Sequence, residues 1–178
     1  MKEVQVHDKL FREFITEEAI EKRIEELAER INNDYKGKEL LFLGILNGAF
    51  MFAAALLKRV SLNARITFVK LASYDGANSS GTVKELIGWN EDITGKEVII
   101  LEDIVDTGNT LEKITEELLK RKVAHVRIAT LLLKPGCYTK NIDIDYVGFN
   151  VPNDFVIGYG LDYSGYGRNL ASLYSLVK

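Results

Sequence analysis

The chain points to a doubly wound α/β protein on a mainly parallel sheet, and three observations carry that reading. Short aliphatic runs without alternation, Leu40–Leu46 and Val98–Leu101, suit strands buried on both faces. Helical spacings of apolar residues fall between such runs. Both runs pass through a loop of small residues straight into a helix, the connection that parallel sheets use.

With 178 residues, 47% of them hydrophobic, the chain can bury one sizeable core. A single domain over residues 1–178 is expected, with a small hood formed by roughly 1–15 and 135–178. The net charge of -3 suggests neither a nucleic-acid nor a membrane partner. The single cysteine, Cys137, excludes an internal disulfide. With only His7 and His125 beside it, and no ligand spacing, a structural zinc site is not expected. The charged N-terminus lacks the apolar core of a signal peptide, and Asn47 and Gly48 break the apolar stretch Leu40–Leu57. A cytoplasmic, reducing setting is the expectation.

In chain order, a short strand is expected near Val4–His7. Thr16 reads as an N-cap with Glu17 and Glu18 in the first turn. Ile20, Ile24, Leu27, Ala28 and Ile31 form one stripe, so 17–34 is an amphipathic helix with Gly37 just past its end. The strand Leu40–Leu46 leads through Asn47-Gly48-Ala49 to an apolar helix near Phe50–Val60. Arg65–Ala72 is a strand. The polar, glycine- and serine-rich stretch Ser73–Thr82 follows, which composition alone leaves open between a functional lid and a merely floppy loop. A β-like segment lies at Val83–Trp89, and Asp92–Lys96 is a turn. After the central strand a helix is expected near Leu111–Lys122, then the strand Ala124–Leu133, stopped by Lys134-Pro135-Gly136. Tyr146–Val151 is a further strand. Leu170, Leu173, Leu176 and Val177 suggest a short closing helix.

The chemistry is concentrated in Val98–Leu111, VIILEDIVDTGNTL. A buried strand feeds two carboxylates, Glu102 and Asp103, then Asp106 and the small-residue loop Thr107-Gly108-Asn109-Thr110, then a helix. A loop entering a helix N-terminus presents unpaired N–H groups at the positive end of the dipole, which suits a phosphate. Glycine permits close approach, and the threonines add hydroxyl donors. Carboxylates beside a phosphate make sense facing sugar hydroxyls, a metal ion or a proton to be removed.

This stretch resembles the phosphoribosyl-diphosphate (PRPP) motif of type I phosphoribosyltransferases, in the form carried by the hypoxanthine-guanine enzymes. The resemblance runs from about Gly44 to Arg168. It implies a 5′-phosphate site at Asp106, Thr107, Gly108, Asn109 and Thr110, with Asp106 as general base. Glu102 and Asp103 would hold ribose hydroxyls and Mg²⁺, with Asp162 as a further metal-side and purine-side acid. Leu46, Asn47, Gly48 and Arg168 would contact diphosphate, with a cis peptide at Leu46–Asn47. Asn47 stands where many relatives carry lysine, so one fixed charge is absent there. Lys134 would meet the exocyclic oxygen of a 6-oxopurine, Phe155 would stack on the base, and Val156 would read its edge. Ser73 and Tyr74 would begin a closing lid. The implied reaction moves the phosphoribosyl group from PRPP to hypoxanthine or guanine, giving IMP or GMP and diphosphate. A homodimer or homotetramer is the implied assembly. The alternatives are transfer to another base, such as xanthine or a pyrimidine, and a PRPP-sensing regulator that binds RNA or DNA. A P-loop hydrolase lacks the required G-x-x-x-x-G-K-[ST].

Overall fold

The computed structural model describes residues 2–71, 85–87 and 92–177. A hairpin of β1 (Glu3–Val6) and β2 (Lys9–Ile15) opens the chain, followed by α1 (Glu17–Asp34). Thr16 caps α1, its hydroxyl accepting the Ala19 N–H at 3.3 Å. Such a cap contributes about 1 kcal/mol. Ile20, Ile24, Leu27, Ala28 and Ile31 are all buried, as their spacing requires. Each large member of that stripe gains roughly 1.5–3 kcal/mol from burial.

The central part alternates strand and helix: β3 (Leu40–Leu46), α2 (Phe50–Leu57), β4 (Ala64–Leu71), β5 (Glu85–Ile87), β6 (Glu97–Val105), α3 (Asn109–Lys120), β7 (His125–Leu133) and β8 (Tyr146–Asn150). These strands form a six-stranded sheet in the order β5-β4-β3-β6-β7-β8. All neighbours are parallel except the edge pair β4 and β5. Side chains alternate across it. Phe42, Ile99, Leu101 and Leu131 join the core beneath α1 and α2. Leu41, Leu43, Val98, Ile100 and Ile128 join the core beneath α3, with Leu111, Ile114 and Leu118. The sheet is therefore covered on both faces, which is why its central strands read as unbroken apolar runs.

Two short strands, β9 (Val156–Ile157) and β10 (Leu173–Leu176), complete a second, antiparallel sheet in the order β1-β2-β10-β9. The expected closing helix over Leu170–Val177 is not there; Leu173–Leu176 is a strand instead. The stretch is too short to sustain a helix alone, whereas β2 and β9 offer it backbone partners on both sides. A hood drawn from everything after 135 is also too wide: Tyr146–Asn150 forms the edge of the main sheet, so the second sheet draws on 3–15 and 156–176. Ser73 and Tyr74, the expected lid, lie outside the described residues. Among the described residues, no helix is long and apolar enough to cross a membrane.

The second sheet is tied to α1 and α2 by polar contacts. Tyr159, buried and at φ 46, donates its hydroxyl to Glu21 Oε1 at 2.5 Å. Arg59 donates to Glu21 Oε2 at 2.7 Å and to the Ala55 carbonyl at 3.0 Å.

Burial pushes the Tyr35 hydroxyl from its ordinary 10.0 up to about 12, and raises Tyr146 and Tyr159 in the same direction. Unfolded tyrosine loses its proton near pH 10 while the folded Tyr35 keeps it to about 12. Stability present below pH 10 is therefore lost as pH rises through this window. Tyr35→Phe should flatten the decline between pH 9 and 11 by about 1 kcal/mol. Urea unfolding at both pH values measures it; identical declines in variant and parent would contradict the assignment.

Candidate active site

β3 and β6 are neighbours, yet the helix after β3 packs on one face of the sheet and the helix after β6 on the other. Connections that diverge this way open a crevice at the carboxyl ends of the strands. The loops at 46–49 and 106–110 both leave from that point.

β6 runs further than the apolar run suggests. Glu102 and Asp103 sit inside the strand, not in a corner after it. Glu102 is 7% exposed. Burial pushes its carboxyl well above the usual range, and the Asp103 charge adds to the push. Burial raises Asp103 as well, opposed by hydrogen bonds from Glu102 and the Ile104 N–H and by the charge of Arg168. The Ile104 N–H donates to Asp103 Oδ1 at 2.9 Å. Among the described residues no lysine or arginine forms an ion pair with either acid. Two adjacent carboxyls, drawn from water and in no ion pair among the described residues, are a fitting place for hydroxyl donors or a hard divalent ion.

The loop after β6 enters α3 through Gly108, which occupies the N-cap at φ 85. No side chain caps this helix, unlike α1, so its first N–H groups remain available to an anion. A cleft of about 100 Å³ lies there, lined by Glu102 and residues 104–111. Asp106 at its rim is half exposed, and Lys134 Nζ stands 3.3 Å from its Oδ2. Lys134 follows β7 directly and is itself buried; its N–H donates to the Val105 carbonyl at 2.9 Å. The parallel pairing of β6 with β7 thus brings together a cation and an acid that are 28 positions apart.

The second loop contains a cis peptide at Leu46–Asn47, as the resemblance implies. Gly48 has no room for a side chain: a Cβ would land on the Asp103 carboxylate. From the other side Gly160, at φ 103, approaches so closely that its own Cβ would strike the Gly48 carbonyl. The loop is held between the central strand and the second sheet.

Arg168 and Asp162 meet at 2.5 Å; Arg168 also donates to the Gly160 carbonyl, and Asp162 accepts the Gly165 N–H, each at 2.6 Å. Asp162 is thus engaged by Arg168 and the Gly165 N–H. Among the described residues no three His, Cys, Asp or Glu side chains gather as a metal cluster. Phe155 is an exposed ring, 44% accessible, with Phe11 at 6.3 Å, Tyr163 edge-on at 5.8 Å and Lys9 Nζ 5.8 Å from its centroid. Val156 behind it is buried.

Sequence reasoning missed Gly160, Lys9 and the segment 138–140. Gly160 had a signal in the spacing Gly158-Tyr159-Gly160. Lys9 had none, because the rings it meets, Phe155 and Tyr163, lie near the far end of the chain.

Residues 13–164 match the family described as "Phosphoribosyl transferase domain". The hypoxanthine-guanine phosphoribosyltransferase of Staphylococcus aureus is 42% identical over 166 residues, covering 93% of both chains. A protein of Listeria monocytogenes named "Bifunctional protein TilS/HprT" is 40% identical over 166 residues. The match covers 93% of this chain but only 26% of that longer protein, so the chain spans about a quarter of its length. A crystal structure of a hypoxanthine-guanine phosphoribosyltransferase from Bacillus anthracis superposes with a TM-score of 0.87 at 35% identity, covering 94% of this chain and 97% of that one.

Gly160→Ala should cost about 2–4 kcal/mol, combining left-handed strain with the clash at Gly48. Gly37→Ala, at φ 77 with nothing within 4 Å, should cost only the strain, about 1–2 kcal/mol. Chemical denaturation of the two variants compares them, and equal losses would remove the Gly48 contact from the account.

Proposed function

This chain belongs to the phosphoribosyl transferase family, and from that premise we propose that it serves purine salvage, moving the 5-phosphoribosyl group of PRPP to hypoxanthine or guanine. The products are IMP or GMP and diphosphate. The observation that supports this most is the meeting of three elements at neighbouring strand ends. These are an uncapped helix N-terminus, a dehydrated acid pair, and a buried lysine beside an accessible aspartate.

In this reading the N–H groups and hydroxyls of 107–110, with Asp106 at the start of the loop, take the 5′-phosphate. Glu102 and Asp103 accept from the ribose hydroxyls, replacing the water that burial has removed. Their oxygen donors also suit Mg²⁺, which when bound would supply positive charge for the departing diphosphate. The N–H groups of the 46–48 loop and the Arg168 guanidinium face the same leaving group, and Asp162 enters by orienting Arg168 rather than by joining the acid pair. Lys134 donates to the exocyclic oxygen of the purine, and Phe155 covers the ring, with the Val156 backbone at its edge. As a ring nitrogen bonds to the anomeric carbon and the bond to diphosphate breaks, Asp106 takes the nitrogen's proton. A lid beginning at Ser73 and Tyr74 would keep water from the cationic sugar. The second sheet serves as the hood over the purine. A homodimer or homotetramer in the cytoplasm completes the proposal.

Asp106→Asn should retain PRPP binding while turnover falls by about 10²-fold or more. Turnover at the parent rate would remove Asp106 as the base. Lys134→Ala should raise KM for the purine far more than KM for PRPP, and equal changes would argue against purine recognition. The reading as a whole is tested by incubating the protein with PRPP, Mg²⁺ and each nucleobase in turn and following nucleotide formation. Product with a pyrimidine alone, or with none, would overturn it.

A further inference from the structure

Residues 138–140 have no role in the chemistry above, yet they back the loop assigned to the sugar phosphate. Gly108 is the turn of that loop. A Cβ built on it would stand 2.5 Å from Tyr138 Cε2 and 2.8 Å from Lys140 Cγ, so both side chains press on its backbone. The Tyr138 hydroxyl donates to the Ile142 carbonyl at 2.6 Å, which fixes the ring. The Thr139 N–H and hydroxyl reach the Thr107 carbonyl at 3.5 and 3.4 Å. They engage a negative dipole end that would otherwise be free to face an anion.

The charge arrangement is more specific. Glu112 lies in the first turn of α3, and its N–H donates to the Gly108 carbonyl at 3.0 Å. A carboxylate there suits the helix dipole but opposes a phosphate arriving at the same N-terminus. Lys140 Nζ meets Glu112 Oε2 at 2.6 Å, and the lysine is the more buried partner, at 20% side-chain exposure against 42%.

We propose that Lys140 is a positioning residue for the 5′-phosphate, acting through Glu112, with Tyr138 holding the strap against Gly108. Lys140 cancels the one acidic charge in the first turn of α3 and so leaves the N–H groups to the phosphate. The inference rests on the phosphoribosyl reading and adds to it a determinant of sugar-phosphate affinity.

The experiment measures ribose 5-phosphate binding by calorimetry, alongside steady-state constants for PRPP and purine. Lys140→Gln should weaken ribose 5-phosphate and raise KM for PRPP by about three- to tenfold, with kcat and the purine KM within about twofold. The loss should shrink at high salt. Lys140→Arg should retain parent affinity, and adding Glu112→Gln to Lys140→Gln should restore it. Unchanged affinity in Lys140→Gln would overturn the proposal. So would a double variant as weak as the single, which would mean direct contact with phosphate, or an equal loss in every constant, which would mean a purely structural role. A parent protein that does not bind ribose 5-phosphate at all would instead bring down the phosphoribosyl reading itself, and this inference with it.

Discussion

The arrangement of the whole ligand-facing edge depends on β3 and β6 lying side by side while their following helices depart to opposite faces of the sheet. That divergence opens the crevice and sets two small-residue loops at its walls. It also decides where the acids can stand. Glu102 and Asp103 continue a strand whose preceding residues, Val98 to Leu101, are fully buried. The apolar run anchors the strand, and the anchored strand carries Glu102 out of water and Asp103 partly so. Left alone, dehydrated carboxyls destabilise a fold; here backbone N–H donation, from Asp103 to Glu102 and from Ile104 to Asp103, limits that cost.

Much of the fold was legible because its signals are local. Thr16 followed by a clean apolar stripe located α1 to the residue. The non-alternating runs gave away the central parallel strands, since burial on both faces leaves no polar phase. The closing strand was not legible. Leu170, Leu173 and Leu176 have helical spacing, and the partners that override it include β2, more than 150 positions away. The same limit applies at the edge of the sheet. The order of acids, small residues and helix after Val98 announces a strand that passes through a tight loop into a helix N-terminus, because each requirement is met within a few residues. The closure of Gly160 on Gly48, the commitment of Asp162 to Arg168 and the contact of Lys140 with Glu112 are all set by chain return. The spacing of Gly158 and Gly160 marks an unusual turn, but no spacing encodes which partner each of these residues meets.

A common electrostatic pattern links these contacts. Lys134 is held by Asp106, Arg168 by Asp162 and Lys140 by Glu112. These three cations are already matched to acids, in a chain whose net charge is -3. Long-range attraction therefore contributes little to capturing a phosphate ester. In the proposed function, recognition would fall to short-range donors: the first N–H groups of α3, the loop hydroxyls, and whichever cation can be shared between its acid and the ligand. That division favours selectivity over raw affinity, since an anion of the wrong shape finds few free charges to hold it.

The contacts between the second sheet and α2 bear on how the molecule can move. At one end of this short helix, Gly160 abuts the carbonyl of Gly48, just before the first turn. At the other end, Arg59 bonds to both Ala55 and Glu21, and Glu21 in turn receives the hydroxyl of Tyr159. Residues 159 and 160 are adjacent, so a single corner of the chain grips α2 like a clasp fastened at both ends. Tilting that sheet outward would have to carry the helix along or break a hydrogen bond and a close backbone contact together. Stiffness in the 46–48 loop is thereby inherited from a corner of the chain that lies far from it in sequence.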